Sequence, residues 1–290
     1  MYNLSDMGVL KQLLFEAGFS FKKSLGQNFL VNPSVCPDMA DACGCDNVGV
    51  IEIGTGVGVL TAELCKRAKK VVCIEIDTRL KPILDKTLSD FDNYEVVYED
   101  VMKIDLHALI REKFGDMKVV VCANLPYYIT SPIIMMLLES RLPIDAITVM
   151  VQKEAADRLT AAVGSRESGA VTVAVNYYAE AGMIRKVSRG SFMPPPNVDS
   201  AVIKLDIRKD PPIVVEDEKR FFKFIRAGFQ QRRKTLVNTA SGLMNVPKDK
   251  IIDALKTCGI SETVRAEALT MEQLGKVYTE IFKTAAYPER

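Results

Sequence analysis

The run Val48–Ile53, VGVIEI, is apolar apart from Glu52 and leads straight into Gly54-Thr55-Gly56-Val57-Gly58. A helical pattern then runs from Val59 to Ala68. A buried strand, a glycine turn and a helix in that order restrict the chain to an α/β fold with a parallel sheet. The glycines let the backbone approach a ligand, and the start of the helix suits a negative group. A dinucleotide fingerprint needs glycine at the first, third and sixth positions. The sixth position here is Val59, so that fingerprint fails.

Further strands follow at α/β spacing. Val71–Ile76 carries Glu75 near its end, about twenty residues after the glycine turn, where a carboxylate accepts both ribose hydroxyls of a nucleoside. Asp77 is assigned to capping the helix that starts near Thr78. Tyr94–Tyr98 ends at Glu99-Asp100, and Asp100 stands where it accepts from an adenine amine. The fourth strand reads VVVCANLPYYIT from Val119 to Thr130 and stops at Asn124-Leu125-Pro126-Tyr127. Pro126 lacks a backbone donor and drives Leu125 out of helical geometry, so the chain turns at a strand's carboxyl end. Ligands sit at that end in open α/β sheets. A carboxamide, a turn carbonyl and an aromatic face suit a flat, amino-bearing base. A plain strand end with a half-buried tyrosine is the structural alternative.

A helix from Ser131 to Ser140 and a fifth strand, Ala146–Val151, come next, then a helix from Gln152 to Ala162. Residues 169–181 are ambiguous: Val171, Val173 and Val175 alternate like a strand, yet a helix is needed to cross the sheet. Met193 is followed by three prolines, a stiff extended segment that fixes Phe192, either in the core or as an aromatic plate opposite Tyr127. A last strand covers Ser200–Ile207. Asp210-Pro211-Pro212 marks a boundary, giving domains 1–209 and 210–290, the second helical throughout. From Glu218 to Lys234 seven Lys or Arg residues face one acid, interleaved with phenylalanines, which favours a phosphate-contacting surface over a merely solvated face. The N-terminal part has an amphipathic helix, Val9–Ala17, and a basic arm, Lys22–Leu30, in which Gln27 and Asn28 are adjacent amides.

The net charge of +1 does not by itself indicate a nucleic-acid partner, so the local charge carries that argument. Seven cysteines without framework spacing, no signal-peptide pattern and no apolar run of membrane length point to a cytoplasmic protein. Cys36, Cys43 and Cys45 lack a second pair, and the one histidine, His107, is remote; no metal is expected.

Taken together, KSLGQNFL (Lys23–Leu30), EIGTGVG (Glu52–Gly58), IEID (Ile74–Asp77), ANLPYYIT (Ala123–Thr130), FMPPPNVDSAV (Phe192–Val202) and FQQRRKTLVN (Phe229–Asn238) resemble the ribosomal RNA adenine dimethyltransferase family over nearly the whole chain. The glycine turn is similar to that of class I S-adenosylmethionine-dependent methyltransferases. The resemblance implies a Rossmann-like domain with a small all-helical C-terminal domain. It implies that Gln27, Asn28, Leu30, Gly54, Gly56, Glu75, Asp100 and Asn124 line an S-adenosylmethionine site. Asn124, Leu125, Pro126 and Tyr127 would hold the target adenine, with Phe192 on its other face. The implied substrate is two adjacent adenosines near the 3′ end of 16S rRNA in the small subunit, the implied working form a monomer away from membranes. A large-subunit 23S rRNA methylase, a noncatalytic RNA-binding relative and a nicotinamide dehydrogenase are the rivals. The triple proline with VDSAV and the QRRKT stretch favour the small-subunit enzyme over the first. Intact Glu75, Asp100 and Asn124–Tyr127 argue against the second, and Val59 argues against the third.

Overall fold

The structure, a computed structural model, describes residues 2–22 and 25–283. Lys23 and Ser24, at the start of the basic arm, lie outside the described residues. In chain order the elements are α1 (Met7–Glu16), β1 (Phe29–Leu30), α2 (Val35–Cys43), β2 (Gly49–Ile53), α3 (Val59–Cys65), β3 (Lys70–Glu75), α4 (Lys81–Thr87), β4 (Tyr94–Tyr98), α5 (Leu106–Phe114), β5 (Val119–Asn124), α6 (Thr130–Glu139), β6 (Ala146–Gln152) and α7 (Lys153–Leu159). Then come α8 (Ala170–Tyr178), β7 (Ala179–Val187), β8 (Phe192–Met193), β9 (Ser200–Ile207), α9 (Glu218–Phe229), α10 (Leu236–Met244), α11 (Lys248–Thr257) and α12 (Met271–Phe282).

The chain divides into two compact units, residues 1–156 with 180–207, and 157–179 with those from 208 onward. The division at 207/208 lies close to the expected boundary after 209. Residues 157–179 depart from that expectation, because α8 packs on α9 in the second unit.

The first unit is built on a seven-stranded sheet of order β4-β3-β2-β5-β6-β9-β7. The strands β2 to β6 run parallel, and β9 is antiparallel to β6. The glycine turn follows the central strand. β2 pairs with β3 on one side (Ile53 opposite Ile74) and β5 on the other (Ile53 opposite Ala123). The strand order reverses between β2 and β5, which opens a crevice at their carboxyl ends. Every residue of β2 is buried, as a parallel strand covered on both faces requires. One face packs on α2 and α3 through Met39, Ala40, Leu60 and Leu64, together with Cys36, Cys43, Cys65, Cys73 and Cys122. A neighbouring cluster joins α1 and α4 to the glycine turn through Leu10, Leu14, Ile83, Leu84 and Val57. Six of the seven cysteines are thus core thiols, and Cys43 and Cys45 donate to the carbonyls of Val121 and Ala40. His107 lies in the first turn of α5, its ring 2.8 Å from the Ser140 carbonyl.

The ambiguous stretch 169–181 resolves into both states. Residues 170–178 are helical, with Val173, Ala174, Tyr177 and Tyr178 buried, and the chain then enters β7, a strand the sequence pattern did not reveal. β1 and β8 form a separate antiparallel ribbon, Phe29 opposite Met193 and Leu30 opposite Phe192. A strand two residues long has no period to read, so this ribbon was also missed.

In the second unit Asp217 caps α9 by accepting from the Arg220 N–H at 2.9 Å. Phe221, Phe222 and Phe224 are buried, and Phe221 lies 5.3 Å from the Tyr278 ring. Lys219, Arg220, Lys223, Arg226, Arg232, Arg233 and Lys234 are all exposed. Arg232 is held against Glu267 and the Arg166 carbonyl.

Candidate active site

The carboxyl ends of β2, β3 and β5 and the loop after β4 border one cleft, with the arm before β1 on its rim. Gly54, Gly56 and Gly58 have φ of +80°, +57° and +90°, a region that side chains disfavour. A Cβ on Gly54 would lie 3.6 Å from the Asn124 carbonyl oxygen, and one on Gly56 would lie 3.4 Å from the Phe29 ring. The turn therefore presents bare backbone to the cleft. One on Gly58 would lie 3.1 Å from Leu88, so this third glycine serves packing.

Glu75 closes β3 and fixes the glycine turn. Its carboxylate accepts from the Gly56 N–H at 3.1 Å and the Asp77 N–H at 2.8 Å. Burial pushes its pKa up, and the two backbone donors pull it back. Asp77 caps the short turn at 78–80 and also binds the Arg79 guanidinium at 2.8 and 2.6 Å. Arg79, and after it Gln27, holds the Asp77 carboxyl below the usual range. Gln27 donates to Asp77 at 2.8 Å and accepts from the Lys22 N–H at 3.1 Å. Its amide is thus engaged by protein at both ends, and it ties the arm to the end of β3. Asn28 lines the cleft and donates to the Gly26 carbonyl at 3.1 Å. Leu30 is buried beside Phe192. Asp100 lies on the rim and accepts from the Met102 N–H at 3.0 Å.

The opposite wall follows β5. Asn124 is its last residue, half-buried and paired with Met150 of β6. The Leu125 N–H donates to the Met150 carbonyl at 3.2 Å, so sheet pairing continues one residue into the turn. The Pro126 carbonyl accepts from the Ile129 N–H at 3.2 Å and the Thr130 hydroxyl at 3.1 Å. Among the described residues, no backbone N–H donates to the Leu125 or the Tyr127 carbonyl of this turn. Tyr127 is half-buried, its hydroxyl 2.6 Å from the Ser200 Oγ at the start of β9. Burial raises the phenol pKa, so the ring stays neutral and anchored at its tip. Phe192 is 4% exposed; it packs in the core with Leu30, Met150 and Val202 and also lines the cleft. The core reading of Phe192 therefore holds, and the ring also reaches the cleft.

The expected residues thus border one cleft. Two further features were missed. Ser200 was read only as a strand start, and its partner Tyr127 lies 73 residues away, beyond any local pattern. Glu52 was noted for its position but given no role. It is fully buried at the cleft floor, accepts from the Cys73 thiol at 3.4 Å, and burial raises its pKa to about 8. Its signal was an acid inside an otherwise apolar strand.

The acids Glu75 and Asp100 and the bare backbone of Gly54 and Gly56 fit a nucleoside with a cationic tail. Asn124, the Leu125 carbonyl and Tyr127 fit a flat base with an exocyclic amine. Comparison with known proteins agrees with this chemistry. The family model described as ribosomal RNA adenine dimethylase matches residues 18–283. A protein of Geobacillus thermodenitrificans named ribosomal RNA small subunit methyltransferase A is 50% identical over 282 residues, covering 95% of this chain and 96% of that one. One of the same name from Lachnoclostridium phytofermentans is 45% identical, covering 96% of this chain and 97% of its own. Among solved structures, a dimethyladenosine transferase from Plasmodium falciparum superposes with a TM-score of 0.74 at 28% identity, covering 88% of this chain and 98% of that one. The 23S rRNA methyltransferase ErmE gives a TM-score of 0.66, also at 28% identity, over 88% of this chain and 99% of its own. The chain belongs to the ribosomal RNA adenine dimethylase family.

Proposed function

We propose that the protein dimethylates the exocyclic amines of two adjacent adenosines near the 3′ end of 16S rRNA, with S-adenosylmethionine as methyl donor. The observation that carries the reading is Asn124 at the carboxyl end of β5, followed by a turn with an open Leu125 carbonyl and an anchored aromatic ring. The near-full-length relatives named for the small subunit support the choice of ribosomal RNA.

Glu75 holds the two ribose hydroxyls, and Asp100 accepts from the cofactor adenine amine. Gly54 and Gly56 admit the rest of the cofactor against their backbone. Bound S-adenosylmethionine supplies an activated sulfonium methyl. The target adenine stacks on Tyr127, with Phe192 toward its other face. Asn124 Oδ1 and the Leu125 carbonyl accept the two amine hydrogens, which turns the nitrogen lone pair out of conjugation and toward the donor. Orientation and electrostatic complementarity then accelerate transfer without a strong base; the nitrogen that gains the methyl becomes cationic and then releases one proton to water. After the first transfer one hydrogen remains, and a neutral carboxamide tolerates the unpaired acceptor at lower cost than a carboxylate. The exposed basic face of α9 and residues 232–234 contacts RNA phosphates.

The test is transfer from labelled S-adenosylmethionine to small subunits lacking the modification, with unmethylated large subunits in parallel. Label mapped to paired dimethyladenosines of 16S rRNA is expected. Label confined to 23S rRNA would move the activity to the large subunit. No label, with RNA still bound, would leave a binding protein on a methyltransferase scaffold.

A further inference from the structure

Tyr127 and Tyr128 are consecutive, and their rings have opposite fates. Tyr127 is half-buried and anchored to Ser200. Tyr128 is 60% exposed, yet it lines the same cleft. One edge of the ring lies against the arm: Gly26, at φ +58°, passes beside it so closely that a Cβ there would lie 3.3 Å from two ring carbons and 3.5 Å from the Pro126 side chain. The arm and the turn place an aromatic plate at the mouth of the site, with much of its surface open.

We propose that Tyr128 stacks on the nucleotide adjoining the target adenosine. The inference rests on the reading of the cleft as an adenosine-methylating site. An adenosine moved out of its stack leaves its neighbour with one bare face. A ring next to Tyr127 in the turn restores that stacking at the point where the strand leaves the cleft. Every base has a π-face, so the plate accepts whichever base adjoins the adenosine in the cleft and serves both adenosines of an adjacent pair. That property suits an enzyme that must present two consecutive bases in turn. Tyr128 is thus a positioning residue for RNA, separate from the groups that touch the reacting nitrogen.

The test compares Tyr128→Ala, Tyr128→Phe and Tyr128→Trp in methyl transfer to unmethylated small subunits. Tyr128→Ala is expected to raise the KM for subunits about 10-fold, with S-adenosylmethionine affinity of the free protein within about 2-fold of wild type. Phe and Trp keep the plate and are expected within about 2-fold of wild type in KM. A ring serving only to shape the turn would instead lower cofactor affinity and kcat. An unchanged KM in Tyr128→Ala would overturn the inference, as would a Phe variant as impaired as Ala, which would assign the effect to the hydroxyl. Wild-type protein transferring no label to small subunits would overturn the underlying reading and the inference together. Normal wild-type transfer with an unaffected Tyr128→Ala would overturn the inference alone.

Discussion

The two walls of the cleft are built in different ways. The wall at β2 and β3 is local: three left-handed glycines in five residues, and a carboxylate that reaches back to the Gly56 N–H. The wall at β5 is assembled from distant parts of the chain. Asn124 is set by pairing with Met150, Tyr127 by Ser200, and Phe192 by its pairing with Leu30. The first wall offers a ligand mostly backbone and one buried acid, the second side chains that the sheet holds in place. Substitutions should therefore separate the walls, cofactor affinity following the first and turnover on RNA the second.

Glu75→Ala should show the largest separation. It removes a charged acceptor and also frees the glycine turn that the carboxylate clamps. Charge-assisted hydrogen bonds contribute about 1.5–3 kcal/mol each, so S-adenosylmethionine affinity should fall about 100-fold by calorimetry, with RNA affinity retained. Gly56→Ala forces a left-handed alanine at a cost of about 1–2 kcal/mol. Cofactor affinity should fall about 10-fold, and the thermal midpoint should drop by a few degrees. On the other wall, Ser200→Ala removes the anchor of Tyr127 and about 1 kcal/mol. It should lower kcat/KM for small subunits about 5-fold and leave cofactor affinity unchanged. A Ser200→Ala protein that loses cofactor affinity would show that the walls are coupled.

The smallest effect on turnover is expected at Glu52, beneath both walls, where the readout is stability. Its folded pKa of about 8 lies above the usual carboxylate value near 4.5. The folded state therefore holds a proton that the unfolded state releases between those limits, and stability falls as pH rises through that window, by up to about 1.4 kcal/mol per unit. Below the window and above pH 8 this contribution is flat. Glu52→Gln keeps the shape and removes the titration. Urea unfolding should show the variant gaining on wild type between pH 6 and pH 8.

This contrast also explains what the sequence made legible. The β2 turn, Glu75, the cap at Asp77 and the strand ends at Asp100 and Asn124 are each encoded within a few neighbouring residues, and short-range chemistry identified them. The partners on the other wall are not local. Nothing beside Ser200 announces Tyr127, and the two-residue ribbon of Leu30 and Phe192 has no period to detect. The valines of α8 alternate as a strand would, and burial of Val173, Tyr177 and Tyr178 settled the helix. Gln27 borders the cleft, and its amide also bridges Lys22 and Asp77, a link across fifty residues that no local pattern announces.

The central claim is that Asn124 acts by orienting the target amine. Single-turnover methyl transfer by Asn124→Ala, with saturating S-adenosylmethionine and bound small subunits, tests it most directly. The account predicts transfer slowed about 100-fold or more while both substrates remain bound, in the first methylation as well as the second. Dimethylation at the wild-type rate would contradict it.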